Sequence, residues 1–268
     1  MASSALNLDV CDLERRFGIV SKHPAKCDLH GEYAAIVSKG RNEPSGCPVC
    51  AEEERKAREQ QEWRAQQERF ARERIERRFG EALIPERFLG KTFEGYRAET
   101  ASQKKNLSAC IDYAKQFDQN YKAGRCLLLL GTPGTGKTHL ATAIAGHIIA
   151  NCGSIAVYRT VTSILHYIKG SFDNRSDYTE AQAFAALVDP HLLVIDEVGA
   201  TKPTEFELAT MFTVINGRYE KLKPTLVVSN LMPNELPDVL GARCVDRLRE
   251  NGGIALVFNW ESERGKKP

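Results

Sequence analysis

The run Gly131-Thr-Pro-Gly-Thr-Gly-Lys-Thr138 constrains this chain more than any other feature, because it fits G-x-x-x-x-G-K-[ST] and follows the apolar segment Cys126-Leu-Leu-Leu-Leu130. A loop built from Gly131, Thr132, Pro133, Gly134, Thr135 and Gly136 turns backbone N–H groups inward around phosphate oxygens. Lys137 then neutralises β- and γ-phosphate charge, and Thr138 offers its hydroxyl to Mg²⁺. Leu140, Ile144 and Ile148 recur downstream at helical spacing, so strand, loop and helix follow in the order a phosphate loop needs. The chain is expected to bind a nucleoside triphosphate.

Strand-like segments recur near 126–130, 154–158, 191–195, 225–228 and 254–258, with helix-length stretches between them. A further helical pattern runs through Leu107, Cys110, Ile111, Ala114, Phe117 and Tyr121. This alternation predicts an α/β domain with a mainly parallel sheet covered by helices on both faces. His191-Leu-Leu-Val-Ile195 runs into Asp196 and Glu197, which puts two carboxylates at the end of a buried strand, where ligands bind in such sheets. Asp196 suits Mg²⁺, and Glu197 suits orienting or activating a water, which favours ATP hydrolysis over small-molecule phosphorylation.

Asn230, after Thr225-Leu-Val-Val-Ser229, is open to two readings: an amide facing the γ-phosphate or catalytic water, or a turn residue. Arg243 and Arg247 lie four apart in Leu240–Arg249, either to stabilise phosphoryl charge in a neighbouring subunit or to pair with acids such as Asp246 and Glu250. Lys169 and Phe172 are candidate contacts to single-stranded DNA, against simple packing of their helix on the sheet.

Eight cysteines in 268 residues raise the question of disulfides, but Cys27-Asp-Leu-His30 and Cys47-Pro-Val-Cys50 have the spacing of two metal knuckles. Cys27, His30, Cys47 and Cys50 form a Cys₃His set suited to tetrahedral, structural Zn²⁺, with a C-x-x-C redox pair as the competing reading. Cys110, Cys126 and Cys152, in apolar or helix-edge settings, read as small hydrophobes in a reduced protein. A net charge of +2 excludes a strongly basic nucleic-acid coat. The first twenty residues carry no apolar signal core and the apolar runs are strand-sized, so a cytoplasmic location with no membrane association is expected.

From Glu52 to Arg78 the chain has eight acidic and nine basic residues and neither glycine nor proline. Glu52 with Lys56, Glu54 with Arg58, Glu68 with Arg72 and Glu73 with Arg77 set acid four residues before base, which predicts a solvated helix. Its sparse stripe of Trp63, Phe70 and Phe79 fits either a docking role or no partner at all. Three segments are therefore expected: a zinc-binding module over 1–51, a charged helical linker over 52–80 and a nucleotide domain over 81–268.

These pieces together resemble the AAA+ ATPases of the DnaC-type helicase loaders and the related IstB-type transposition helpers; a zinc-bearing nucleotide-switch adaptor with little turnover is a further reading, against which Glu197 weighs. The resemblance covers roughly Ile84 to Trp260. It rests on Ile84-Pro-Glu-Arg-Phe88, the phosphate loop through Ala141, Leu192–Glu197, Ser229-Asn230 and Leu240–Arg249. The ending Phe258-Asn-Trp-Glu-Ser-Glu-Arg264 is closer to the loaders, as is the zinc pair, found in DnaC-like proteins that are often phage or prophage encoded. The resemblance implies Asn230 at the sensor-1 position and Arg247 as arginine finger, with Arg243 in reserve. It also implies ATP-dependent self-association through the ATPase domain, a grip on single-stranded DNA and a DnaB-type replicative ring helicase as partner, docked on the N-terminal part. A small helical lid with its sensor arginine is expected to be absent.

Overall fold

The computed structural model describes residues 8–173 and 175–264, which fall in two compact units, Met1–Arg72 and Glu73–Pro268. The first unit begins with a single turn, α1 (Asp12–Arg16), and an antiparallel hairpin of β1 (Ile19–Cys27) and β2 (Gly31–Ser38). Pro24 sits inside β1 opposite Ala34, which a two-stranded hairpin tolerates because one side of each strand is unpaired. Ala35 and Cys47 are the buried apolar residues of this unit among those described. Such a module lacks the core that normally holds a small domain together.

Helix α2 (Pro48–Glu81) is longer than the 52–80 linker expected from the sequence, starting four residues earlier and ending one later. Proline suits a first helical turn because the N–H it lacks has no intrahelical partner there. Cys50 consequently lies on the first turn of the helix. None of the α2 residues is buried, and Trp63 is 63 % exposed. The expected Glu52–Lys56 pair closes at 3.4 Å, while Arg55 bridges Glu52 and Glu59 at 2.7 and 2.6 Å.

The second unit is built on a parallel five-stranded sheet of order β4-β5-β6-β3-β7, comprising β3 (Leu127–Gly131), β4 (Ala156–Thr160), β5 (Leu192–Val198), β6 (Thr225–Ser229) and β7 (Ile254–Phe258). Successive side chains of a strand point to opposite faces, and the helices divide accordingly. Leu127, Leu129, Leu192, Val194, Leu226 and Val228 pack on one face against α3 (Ala101–Lys115), α4 (Phe117–Ala123) and α5 (Lys137–Asn151). Leu128, Leu130, Leu193, Ile195 and Val227 pack on the other against α6 (Val161–Gly170), α7 (Glu180–Val188), α8 (Glu205–Glu220), α9 (Leu236–Leu240) and α10 (Ala242–Arg249). The periodicity from Leu107 to Tyr121 is split between α3 and α4 at Gln116, whose ψ of 21° leaves the helical range, yet Cys110, Ala114 and Phe117 still bury together.

Arg218 of α8 is fully buried with no carboxylate hydrogen-bonded to it among the described residues. Its guanidinium donates to the carbonyls of Leu187, Val188 and Pro190 at 3.0 Å each, to Pro224, and to the Thr225 hydroxyl at 3.0 Å. One cation thereby satisfies carbonyls at the end of α7 and at the entry to β6. Burial lowers its pKa to about 10.

Candidate functional site

The phosphate loop joins β3 to α5, with Gly131 at φ 118° and Gly136 at φ 89°. A Cβ on Gly131 would collide with the Phe258 carbonyl and one on Gly136 with the Tyr96 ring, so space and backbone both demand glycine. Gly136 is the N-cap of α5 and brings no side chain to its first amides, which leaves the helix N-terminus as an anion site. The Tyr96 hydroxyl donates to the Thr135 carbonyl at 2.9 Å. From the other side, Glu263 N–H donates to the Gly134 carbonyl at 3.0 Å and Thr132 Oγ1 to the Trp260 carbonyl at 2.8 Å.

Lys137 is buried, its ammonium donating to the carbonyls of Gly131 and Thr132 at 2.8 and 2.6 Å. Burial pushes its pKa down to about 8, against the pull of Asp196. The Thr138 hydroxyl donates to Asp196 Oδ2 at 2.9 Å, so the two expected magnesium ligands are already neighbours. These hard oxygen donors fit Mg²⁺ and make a poor site for a soft metal.

Strand order explains the rest of the arrangement. β6 lies between β3 and β5, so the end of β6 falls between the phosphate loop and Asp196, and there Asn230 sits, exposed to the cleft. At the end of β5 the pairing with β6 shifts between Ile195 and Val198, and Glu197 adopts φ 60°, the left-handed region that a non-glycine residue rarely occupies. This shift leaves Glu197 exposed while Asp196 and Val198 are buried. A cleft of about 470 Å³ is lined by Gly134, Lys137, Thr138, Asp196, Glu197 and Asn230.

Further residues, to which the sequence reading assigned no role, line the same cleft. Arg87, Phe88 and Lys91 are among them, as is Arg264 from the segment after β7. Tyr158 of β4 donates its hydroxyl to Asp196 Oδ2 at 2.7 Å. Burial, with Asp196 beside it, raises the phenol well above its ordinary pKa and keeps it a donor.

Arg243 is exposed, whereas Arg247 stacks on α8 with its guanidinium carbon 4.8 Å from the Phe212 ring centre and 5.5 Å from that of Tyr219. Aromatic faces rather than Asp246 or Glu250 therefore hold Arg247. Neither arginine is among the described residues that line the cleft. Lys169 is exposed with its ammonium 5.1 Å from the Phe206 ring centre, and Phe172, 53 % exposed, meets the same ring edge-on at 6.2 Å.

In the first unit the ligand atoms of Cys27, His30, Cys47 and Cys50 all lie within 4.8 Å of one another. Cys27 and Cys50 sulfurs are 3.5 Å apart, and His30 Nδ1 lies 3.7, 3.8 and 3.3 Å from the sulfurs of Cys27, Cys47 and Cys50. Tetrahedral zinc with ordinary bond lengths has edges of about 3.8 Å between sulfurs and about 3.6 Å between sulfur and nitrogen, so the quartet fits the ion. His30 Nε2 faces Glu53 Oε1 at 3.3 Å, which selects Nδ1 as the ligand atom. Cys27 is lowered to about 6, first by the backbone N–H of Leu29 and then by that of His30. None of the cysteines is in a disulfide.

Fold and cleft together define a P-loop nucleotide-binding protein of the AAA+ type. A family model described as IstB-like ATP binding protein matches residues 58–248. The replicative helicase loader DnaC of Escherichia coli strain K12 is 32 % identical over 193 residues, covering 72 % of this chain and 77 % of that protein. The replicative helicase loader DnaC of Buchnera aphidicola subsp. Schizaphis graminum is 32 % identical over 191 residues, with 71 % and 76 % covered. A crystal structure of the DnaC helicase loader superposes with TM-score 0.59 at 23 % identity, over 65 % of this chain and 99 % of that one, and so matches in fold. The chain belongs to the IstB-like AAA+ ATP-binding family and, within it, to the DnaC-type helicase loaders. The zinc quartet lies outside the matched family region, and the comparisons lend no support to a phage or prophage origin. No helix among the described residues is long and apolar enough to cross a membrane.

Proposed function

We propose that this protein couples ATP binding and hydrolysis to placing a ring-shaped replicative helicase on single-stranded DNA. The observation that carries the reading is the convergence of Lys137, Thr138, Asp196, Glu197 and Asn230 on one cleft in a chain whose relatives are named replicative helicase loaders. Lys137 and the first amides of α5 bind the phosphates; Thr138 and Asp196 hold Mg²⁺, which supplies further charge neutralisation there. Glu197 orients or activates the attacking water, and Asn230 hydrogen-bonds that water or the γ-phosphate. Arg247 acts on the nucleotide of a neighbouring copy after leaving Phe212 and Tyr219, with Arg243 in reserve. Lys169 and Phe172 meet the DNA as a charge beside a stacking face.

The segments divide the work in this reading: 1–51 with its zinc docks on the helicase, 52–80 links, and 81–268 binds nucleotide and DNA in the cytoplasm. A helper of DNA transposition is the second reading, favoured by the IstB-like description of the matching model. Capture from the native host separates the two, since the first requires a hexameric helicase to be retained and the second a transposase. On the chemical side, Lys137→Ala loses ATP binding, whereas Glu197→Gln binds ATP and hydrolyses it about 10²-fold or more slowly. Equal loss of binding in both variants contradicts these roles.

A further inference from the structure

We propose that Tyr158 is a positioning residue that fixes the carboxylate of Asp196 and thereby sets the affinity of the nucleotide site for its divalent cation. The proposal rests on the ATP-binding reading above and adds to it a residue that no motif contains. Asp196 has both oxygens occupied: Oδ1 accepts the Glu197 N–H at 2.6 Å, and Oδ2 accepts the hydroxyls of Tyr158 at 2.7 Å and Thr138 at 2.9 Å. Thr138 would itself hold the ion in the reading above, and its hydroxyl would then be engaged there rather than on Asp196 alone. The donors that then remain are the Tyr158 phenol on one oxygen and the Glu197 amide on the other. Two donors on opposite oxygens stop the carboxyl plane rotating and leave its remaining lone pairs in fixed directions.

Tyr158 is well placed to hold that position. It is 4 % exposed, and its ring packs in the same core as Ala156, Leu192 and Val194. The register sets Tyr158 opposite Val194, two residues before Asp196, so phenol and carboxylate share a face of the sheet and meet diagonally. The backbone is pinned as well. β4 is an edge strand, and on its outer side the Tyr158 N–H donates to the Ala82 carbonyl at 2.8 Å. Ring, backbone and hydroxyl are thus each fixed by the protein itself, the arrangement that a supporting residue of a metal site requires.

The test is Tyr158→Phe in the full-length protein, which keeps the ring and removes only the donor. Mn²⁺ binding is followed by electron paramagnetic resonance in the presence of a non-hydrolysable ATP analogue, alongside Mg²⁺ titration of ATP turnover. Half-saturating metal should rise roughly tenfold or more in both measurements, the usual cost of removing an outer hydrogen-bond partner of a metal-holding carboxylate. Turnover at saturating metal should stay within about twofold, and nucleotide binding in excess chelator should be unchanged. In an Asp196→Asn background the same substitution should shift metal binding no further. Unchanged Mn²⁺ affinity in Tyr158→Phe overturns the proposal, as does a weakening of metal-free nucleotide binding equal to that of metal binding. Wild-type protein that binds no metal–nucleotide complex at all overturns the reading of the cleft, and this proposal with it.

Discussion

The two units solve the problem of stability in opposite ways. In the first, the hairpin and helix start bury Ala35 and Cys47 among apolar side chains, while four ligand atoms gather within 4.8 Å. In the second, both faces of a five-stranded sheet are covered by helices, with β3, β4, β5 and β6 at 0–8 % exposure over most of their length. A structural metal can supply on the order of 10 kcal/mol of folding free energy, about what a whole small core provides. The first unit is therefore organised around its Cys₃His quartet, and the second around its packed side chains. The contrast teaches that the same chain is vulnerable to two unrelated insults.

The largest expected effect comes from removing the metal. Chelation, or Cys47→Ser, should abolish amide-exchange protection over β1 and β2 and leave that of β3, β5 and β6 as it was. One Zn²⁺ per chain should appear by elemental analysis before treatment. Protection in the hairpin that survives chelation would show that the ladder stands without the ion, and the contrast would fail. A reversible disulfide between Cys47 and Cys50 in place of metal would instead support the redox reading.

A smaller effect in the other unit sharpens the comparison from its side. Arg218→Ala leaves buried carbonyls of Leu187, Val188, Pro190 and Pro224 without their donor. Unpaired buried groups of this kind cost about 3 kcal/mol together, or roughly 6–12 °C in Tm for a unit of this size. Calorimetry should show the ATPase unit melting earlier, with zinc content unchanged. A Tm within about 2 °C of wild type would mean that water replaces the guanidinium.

What the sequence made legible follows the same division. The phosphate loop, Asp196 and Glu197 are readable because their chemistry depends on neighbours one to eight residues away, and the five strands announce themselves by unbroken apolar runs. The zinc quartet is readable from two short spacings. The hairpin is not, because β1 carries Lys22, Pro24 and Lys26 and has no apolar face to alternate with. Helix α2 begins inside the second knuckle, at a proline that by composition belongs to the metal site and by backbone geometry to the helix. Tyr158, Phe88 and Arg264 reach the cleft only through the tertiary fold: Tyr158 and Asp196 are 38 residues apart and come together through the pairing of β4 with β5. Arg247 shows the reverse case, in which its neighbours in sequence offer acids and the fold offers Phe212 and Tyr219 instead.

We propose a division of labour in which the Cys₃His unit takes the helicase and the ATPase unit takes the nucleotide. One sample tests it: full-length protein stripped of zinc, assayed for nucleotide affinity by titration and for capture of the host's ring helicase by co-sedimentation. The account predicts nucleotide affinity within about twofold of the untreated protein and helicase capture lost, regained when Zn²⁺ is restored. Metal-free protein that still co-sediments with the helicase would contradict it, because the docking surface would then lie on the ATPase unit.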